Sequence, residues 1–418
     1  LLLLNPNMNP DGLDLVTSWY AEHLGTAFET SSPPVAAHAY VGNDINRDWY
    51  MFTQTESRVA ADVFYHEWFP QIVFNQHQGG PFPSRQFVAP AVDPLNPNLD
   101  PLMVAAFRHL GEHQLVRFMK EGKPGVATGV YYRVVWTAAY MSAAPQFHNM
   151  LGLFTETAMS DYATPLCLTE DEVFDPARNE LGISTRLPSV HYPIPWQGGC
   201  WRLQDAIDYM TTGCKAVLDA ASRLKETYLV NIHAMGRRQI ARGEAAEGGP
   251  FAHVVDLTNQ HDPGSAVELL RILRQGGVEI RRAETAFRAG GTDFPAGAYL
   301  IPPQAFRPFV LDVMEPKVYP DRFEYPGGPP EAPYDLTGYN LPDQLGVKVH
   351  RVTEAFEMPG PEVAEIPPPA GTVQGEGPAG YLLSHDWNAA ALASNRLLRG
   401  GARLAWTNGP LPGRWVLV

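Results

Sequence analysis

The sequence predicts an α/β protein: a mostly parallel or mixed sheet with helices on both faces, followed by a second, smaller α/β domain. Three observations carry this prediction. The first half alternates short apolar runs with amphipathic helical stretches. The chain is 418 residues long, more than one ordinary core accommodates. A charged, glycine-bearing run from Arg242-Gly243-Glu244 to Pro250 separates the first pattern from a fresh alternation of strands and helices. The expected domains are therefore 1–243 and 244–418.

In chain order, Leu13 to Leu24 and Glu56 to Trp68 read as helices, the second with Val59, Val63 and Trp68 on one face. Pro70 breaks that helix. Ile72-Val73-Phe74 then reads as a buried strand running into His77. Pro101 to Lys120 is a helix with Leu102, Ala105, Ala106, Leu110 and Leu115 near its apolar stripe, and Leu151 to Phe154 is a strand ending at Thr155-Glu156. Residues 157 to 200 are rich in loop formers, and a long helical stretch runs from about Trp201 to Arg242. In the second half, Ala252 to Leu257 and Val278 to Ile280 read as strands around a helix from Ser265 to Gln275. A further strand–helix–strand unit spans Tyr381 to Ser384, Ala389 to Leu398 and Ala402 to Trp406. No solenoid repeat is present.

Composition narrows the function. Hydrophobic residues make up 45% and charged residues 18%, which reads as globular. A net charge of −14 argues against a nucleic-acid partner, which needs a basic face. No stretch approaches the ~18 apolar residues of a membrane span. The three cysteines, Cys167, Cys200 and Cys214, form neither a disulfide framework nor a CxxC pair, so buried thiols are expected in preference to one bridge. The chain has no initiating Met. Leu1 to Leu4 reads as the tail of a buried strand and Trp415 to Val418 is strand-like, so both ends are expected to continue in a longer protein.

Four short motifs carry chemistry: Asn9-Pro10-Asp11-Gly12, Asp44-Ile45-Asn46-Arg47-Asp48-Trp49, Asn75-Gln76-His77-Gln78-Gly79-Gly80 and Phe154-Thr155-Glu156. Each has an ordinary structural reading. The first is a turn. Arg47 next to Asn46 offers a planar fork and an amide donor that suit a carboxylate, or else pairs structurally with Asp44 or Asp48. His77 lies just past an apolar strand, where open α/β sheets place their ligands, and a neutral imidazole is a good Zn²⁺ ligand. Glu156 also ends an apolar strand, where partial desolvation raises a carboxyl toward the range of a general base. Its alternative is an N-cap network with Thr155 and Thr157.

The order and context of these motifs resemble the zinc carboxypeptidase family over about residues 1 to 240. The resemblance implies an α/β fold with zinc at the sheet edge. It implies that His77 is the third zinc ligand, that Asn46 and Arg47 hold the substrate's C-terminal carboxylate, and that Glu156 is the general base. The family's HxxE ligands precede its NPDG turn. Here His109-Leu110-Gly111-Glu112 comes after His77 and reads as a solvated helix pair. No Arg precedes Arg47, so Arg85, Arg133 or an Arg upstream of Leu1 is expected to stabilise the oxyanion. Tyr131, Tyr132 and Tyr140 are candidates for a substrate-capping Tyr. Trp196 to Trp201 reads as a packed aromatic loop, and His113, His148, His191 and His233 lack ligand spacing.

The second domain looks similar to a class I glutamine amidotransferase-like fold, with no Cys after Cys214 to act as a nucleophile. It is therefore expected to be non-catalytic.

The implied function is a Zn²⁺-dependent metallocarboxypeptidase acting on a peptide with a free C-terminal carboxylate. Zinc activates water, Glu156 carries its proton, and the Arg–Asn clamp makes the enzyme an exopeptidase. The alternatives are a deacylase of N-acyl amino acids and a non-enzymatic carboxylate-binding module. The resemblance is compatible with a secreted or periplasmic protein, and the residues themselves select no compartment or oligomeric state.

Overall fold

The computed structural model describes residues 1–35, 44–323, 325–332, 340–377, 380–406 and 415–417. The chain is a mixed α/β protein with several sheets. It divides into two units. Unit 1 comprises Leu1–Arg238, Ala305–Asp312 and Val318–Thr337, and unit 2 comprises Gln239–Gln304, Val313–Lys317 and Gly338–Val418. Among the described residues no helix is long and apolar enough to cross a membrane.

In unit 1, helix α1 (Pro10–His23) begins inside the NPDG motif, so the motif is a helix start where the sequence suggested a free turn. The reason is capping. The Asn9 side chain accepts a hydrogen bond from the Gly12 amide at 3.0 Å, and Pro10 fits the first helical position, which has no amide to lose. Leu1 to Leu4 form no strand and are exposed, against the expectation of a strand tail.

Helix α2 (Thr55–Asp62) is shorter than its pattern and runs into a π-type turn over Val63–Glu67. Its expected inward face is also wrong: Val59 and Trp68 are exposed, while Ser57, Ala60, Ala61 and Tyr65 are buried. The wider π turn after Asp62 carries Trp68 out of phase, and within α2 the small Ser57, Ala60 and Ala61 take the inward face in place of Val59. Helix α3 (Pro101–Lys120) matches its prediction in extent. Asp100 caps it, accepting from the Leu102 amide at 2.9 Å, and Met103, Ala106, Phe107, Leu110, Leu115 and Phe118 are buried.

The main sheet has four strands: β1 (Ile72–Gln78), β2 (Gln86–Val88), β3 (Val126–Thr128) and β4 (Leu151–Thr157), in the order β1-β4-β2-β3. β1 runs parallel to β4 and β2 parallel to β3, whereas β2 is antiparallel to β4. All seven residues of β4 are buried, as a near-continuous apolar strand requires when both neighbours and both faces are covered. α3 and the helix Leu203–Arg223 pack against each other and against β4. Lys123 and Glu121 both reach the Thr212 hydroxyl, at 2.8 and 2.6 Å.

The segment 157–200 is more ordered than its composition suggested. Leu166–Leu168 pairs antiparallel with Gly199–Trp201, and Cys167 stands opposite Cys200 in that register. The two are joined in a disulfide, which corrects the expectation of buried thiols: both positions are exposed, and Cys214 is the free, half-buried cysteine. Spacing in sequence gave no sign of this, because the pairing is created by strands 33 residues apart.

Unit 2 has a four-stranded sheet ordered His350–Val352, Ala252–Val255, Tyr299–Ile301, Arg281–Arg282, with every neighbour antiparallel. Val278 and Ile280 are buried as predicted for a strand, yet regular pairing begins only at Arg281. The helix Pro263–Gln275 is capped by Asp262, whose carboxylate accepts from Gly264 N at 2.8 Å. The final unit pairs Leu382–Ser384 and Ala405–Trp406 with Trp415–Leu417 and carries the helix Ala389–Arg399.

Candidate active site

A cavity of ≈ 230 Å³ opens in unit 1 beside the ends of β1 and β4. Asn46, Arg47, His77 and Glu156 all line it, so the sheet and its loops bring together four residues that are far apart in the chain.

The sheet positions two of them. β1 and β4 are parallel and in register, with His77 directly opposite Glu156. Neighbouring strands lie ~4.8 Å apart, so two side chains on one rung and one face must meet. His77 Nδ1 and Glu156 Oε2 are 2.9 Å apart. Burial pushes the Glu156 carboxyl above the usual carboxylate range, with His77 and Arg47 opposing the shift. The hydrogen bond to Glu156 raises His77 in turn, against the desolvation of its own ring. Together the two groups hold a proton more firmly than either does in water. The N-cap alternative for Glu156 is not what is found: Thr155 and Thr157 are buried strand residues, and the Thr157 hydroxyl donates to Gln86 Oε1 at 2.9 Å.

Arg47 is presented by the short 3-10 turn Ile45–Arg47. Asp44 caps this turn, accepting from Asn46 N at 2.8 Å, and its other oxygen meets Arg47 Nη1 at 3.2 Å. The guanidinium lies 4.7 Å above the Tyr140 ring, which fixes its plane. The pairing with Asp44 foreseen as a structural alternative is therefore real, and Arg47 faces the cavity as well. Asp48 does not pair with Arg47. It is buried and accepts from Thr53 N and Gln54 N at 3.0 and 2.8 Å, fixing the bend that follows. Asn46 Oδ1 accepts the Met141 amide at 2.9 Å, so the remaining capacity of its side chain is as a donor. Gly42 and Asn43, which precede this turn, lie outside the described residues.

The candidates for stabilising an oxyanion do not reach the cavity. Arg85 is buried with its guanidinium 4.1 Å from the Trp196 ring and 5.2 Å from that of Trp201. This also makes the Trp196 to Trp201 stretch the packed aromatic loop expected. Arg133 pairs with Glu331 at 3.4 Å. Tyr131, Tyr132 and Tyr140 all line the cavity: Tyr140 lies beneath Arg47, Tyr132 is buried, and Tyr131 is exposed at the mouth with φ +74°. His109 and Glu112 are exposed on α3, as a solvated pair should be, with His109 Nδ1 at 3.0 Å from the Tyr228 hydroxyl. His113 pairs with Asp219 at 3.1 Å, His148 stacks on Tyr65, and His191 Nδ1 lies 3.0 Å from Thr128 O.

Asn75, which the sequence reading quoted in the third motif without assigning it a place, and Ser142, which it missed, also line the cavity. Asn75 could have been found: it lies two residues before His77 on a strand, hence on the same face. Ser142 has no local signal and arrives only through the fold.

The donor set bears on zinc. A catalytic zinc site takes three protein ligands. Among the described residues no group of three or more His, Cys, Asp and Glu is placed to hold a metal ion. The cavity offers one imidazole, His77, so these residues do not make up a zinc centre on their own.

Compared with protein-family models, curated proteins and solved structures, the chain matches none.

Proposed function

We propose that unit 1 belongs to a zinc-dependent exopeptidase that cleaves the C-terminal peptide bond of a substrate with a free carboxylate. The observation that carries the reading is the convergence of Arg47, His77 and Glu156 on one cavity. Asn46 and Arg47 receive the terminal carboxylate, the one by its amide donors and the other by its fork, and so set which bond lies near Glu156. Glu156, with its carboxyl raised by burial, takes a proton from water and returns it to the leaving amine. Zn²⁺ is the proposed cofactor, with His77 as one ligand and the others outside the described residues. The zinc-peptidase-like fold is part of the same proposal, supported by a His and a Glu at the ends of adjacent parallel strands.

One observation favours a second reading: no three-ligand group occurs among the described residues. The cavity then serves as a carboxylate-binding module. A single experiment separates the two. N-benzoylglycyl-phenylalanine and its C-terminal amide are titrated into the protein with and without Zn²⁺, and release of phenylalanine is followed. Exopeptidase action predicts binding of the acid, weak binding of the amide and zinc-dependent release. Binding of the acid without release at saturating zinc supports the module, and equal binding of acid and amide removes both readings. N-benzoyl-phenylalanine in the same assay distinguishes a peptidase from a deacylase.

A further inference from the structure

We propose that Asp312, a buried residue outside the cavity, is a positioning residue for the carboxylate clamp: it fixes the segment Ala138–Met141 against which Asn46 and Arg47 rest. This rests on the reading of Asn46 and Arg47 as that clamp.

The short turn Ile45–Arg47 does not hold the clamp by itself. Asn46 Oδ1 accepts the Met141 amide at 2.9 Å, the Arg47 guanidinium lies 4.7 Å above the Tyr140 ring, and Trp49 N, just past the turn, donates to Ala139 O at 3.3 Å. Successive residues of one segment, Ala139, Tyr140 and Met141, thus support both clamp residues and the chain that follows them. The residue before them, Ala138, is wholly buried, and its amide donates to Asp312 Oδ2 at 2.9 Å. The segment is a splint with the clamp at one end and Asp312 at the other.

Asp312 stands 174 residues downstream of Ala138, at the end of the stretch Ala305–Asp312 that belongs to unit 1. It is wholly buried. Its Oδ1 accepts from Asn96 Nδ2 at 2.7 Å, and the same nitrogen donates to Trp136 O at 2.6 Å. Asn98 N donates to Asn96 Oδ1 at 2.9 Å, which fixes the orientation of that amide. The stretch is anchored in its turn: Asn149 Nδ2 donates to Ala305 O at 2.7 Å, and the Phe309 ring lies 4.5 Å from that of His148. Asn96 Nδ2 and Ala138 N are both donors, so the side chain between them must accept twice. A carboxylate does so, whereas an amide accepts once and turns its own NH₂ against the second donor. Bonds to a carboxylate are also the stronger kind, and one sealed from water is tolerated only when its oxygens are bonded. Asp312 therefore ties the splint down rather than merely filling space beside it.

The test is calorimetric titration of N-benzoylglycyl-phenylalanine and its C-terminal amide into the full chain as wild type, Asp312→Asn and Phe309→Leu, under conditions where urea unfolding shows each to be folded. Phe309→Leu is the control for stability alone, since it thins the packing of the same stretch without touching the splint. Asp312→Asn should bind the acid about tenfold more weakly, the worth of one charge-assisted hydrogen bond, and the amide within about twofold of wild type. Phe309→Leu should lower the urea midpoint and keep the acid-to-amide ratio within about twofold of wild type. A lowered midpoint in Asp312→Asn with an unchanged ratio overturns the inference while the clamp stands, and so does a loss of the ratio in Phe309→Leu as large as that in Asp312→Asn. If Asp312→Asn does not fold, the wild type answers the question. The acid at about twenty times its dissociation constant should slow hydrogen exchange of the Ala138 amide roughly 20-fold, because opening the splint dismantles the clamp, and exchange unchanged by bound acid overturns the inference. If the wild type binds acid and amide equally, the clamp itself fails and this inference falls with it.

Discussion

Replacing Arg47 with Ala tests the carboxylate clamp, and the structure sets the size of the effect. Arg47 is a quarter exposed and already engaged, with Nη1 at 3.2 Å from Asp44 and 3.3 Å from Asn46 O. A ligand carboxylate therefore gains a charge-assisted interaction but competes with Asp44 for it. One charge-assisted hydrogen bond is worth about 1.5–3 kcal/mol net, and competition plus solvent exposure place Arg47 near the lower end. About 2 kcal/mol corresponds to roughly a 30-fold loss in affinity for a free-acid ligand. The amide of the same ligand should lose less than about threefold. Asp44→Asn is the counter-experiment. It keeps a side-chain oxygen to cap the turn but releases the guanidinium, so the acid should bind about two- to fivefold more tightly, the worth of an exposed ion pair. Titration calorimetry at fixed pH and salt reads both variants. Equal losses for acid and amide in Arg47→Ala, or a loss in Asp44→Asn as large as that in Arg47→Ala, would refute the reasoning.

The His77–Glu156 pair, the Gly152 contact and the disulfide each set a further outcome. His77 is raised above its ordinary value of about 6.5, first by its hydrogen bond to Glu156. Its contribution to stability is therefore full below pH ~6.5 and is lost as pH rises through the raised value. The gap in unfolding midpoint between wild type and His77→Gln should shrink over that window, and an NMR titration should show the His77 pKa falling back in Glu156→Gln. A Cβ on Gly152 would stand 2.1 Å from Ser142 O, so Gly152→Ala must push the cavity wall off β4. It should destabilise by about 1–3 kcal/mol in urea unfolding and loosen ligand binding together with stability. Cys200→Ser opens a loop closed across 33 residues, and should lower stability by at most about 4 kcal/mol, with reductant abolishing the difference between variant and wild type.

The residues that meet in the cavity were more legible than the scaffold that brings them there. His77 and Glu156 were visible because each ends an apolar run, and a strand's end at a sheet edge is a place local sequence can mark. Arg47 was visible through its Asn46 neighbour and the polar turn around it. Ser142 was not, because tertiary packing alone carries its loop to the cavity. Trp68 was misplaced because the π turn after Asp62 alters a phase that the periodicity argument takes as constant, and Val59 because small residues rather than the large apolar one take the inward face of α2. The Cys167–Cys200 bond escaped for a similar reason: it is fixed by an antiparallel register rather than by any spacing motif.

The shared rung of His77 and Glu156 constrains how this chain can vary. Side chains alternate along a strand, so gaining or losing one residue upstream in either strand sends one partner to the opposite face of the sheet. A change of two residues restores the face but slides the groups apart by nearly 7 Å along the strand, beyond the reach of a hydrogen bond. The acid and its imidazole thus tolerate substitution around them far better than insertion beneath them, whereas a length change in the loops beyond Gln78 and Thr157 leaves their pairing intact, because the strands have already delivered their side chains.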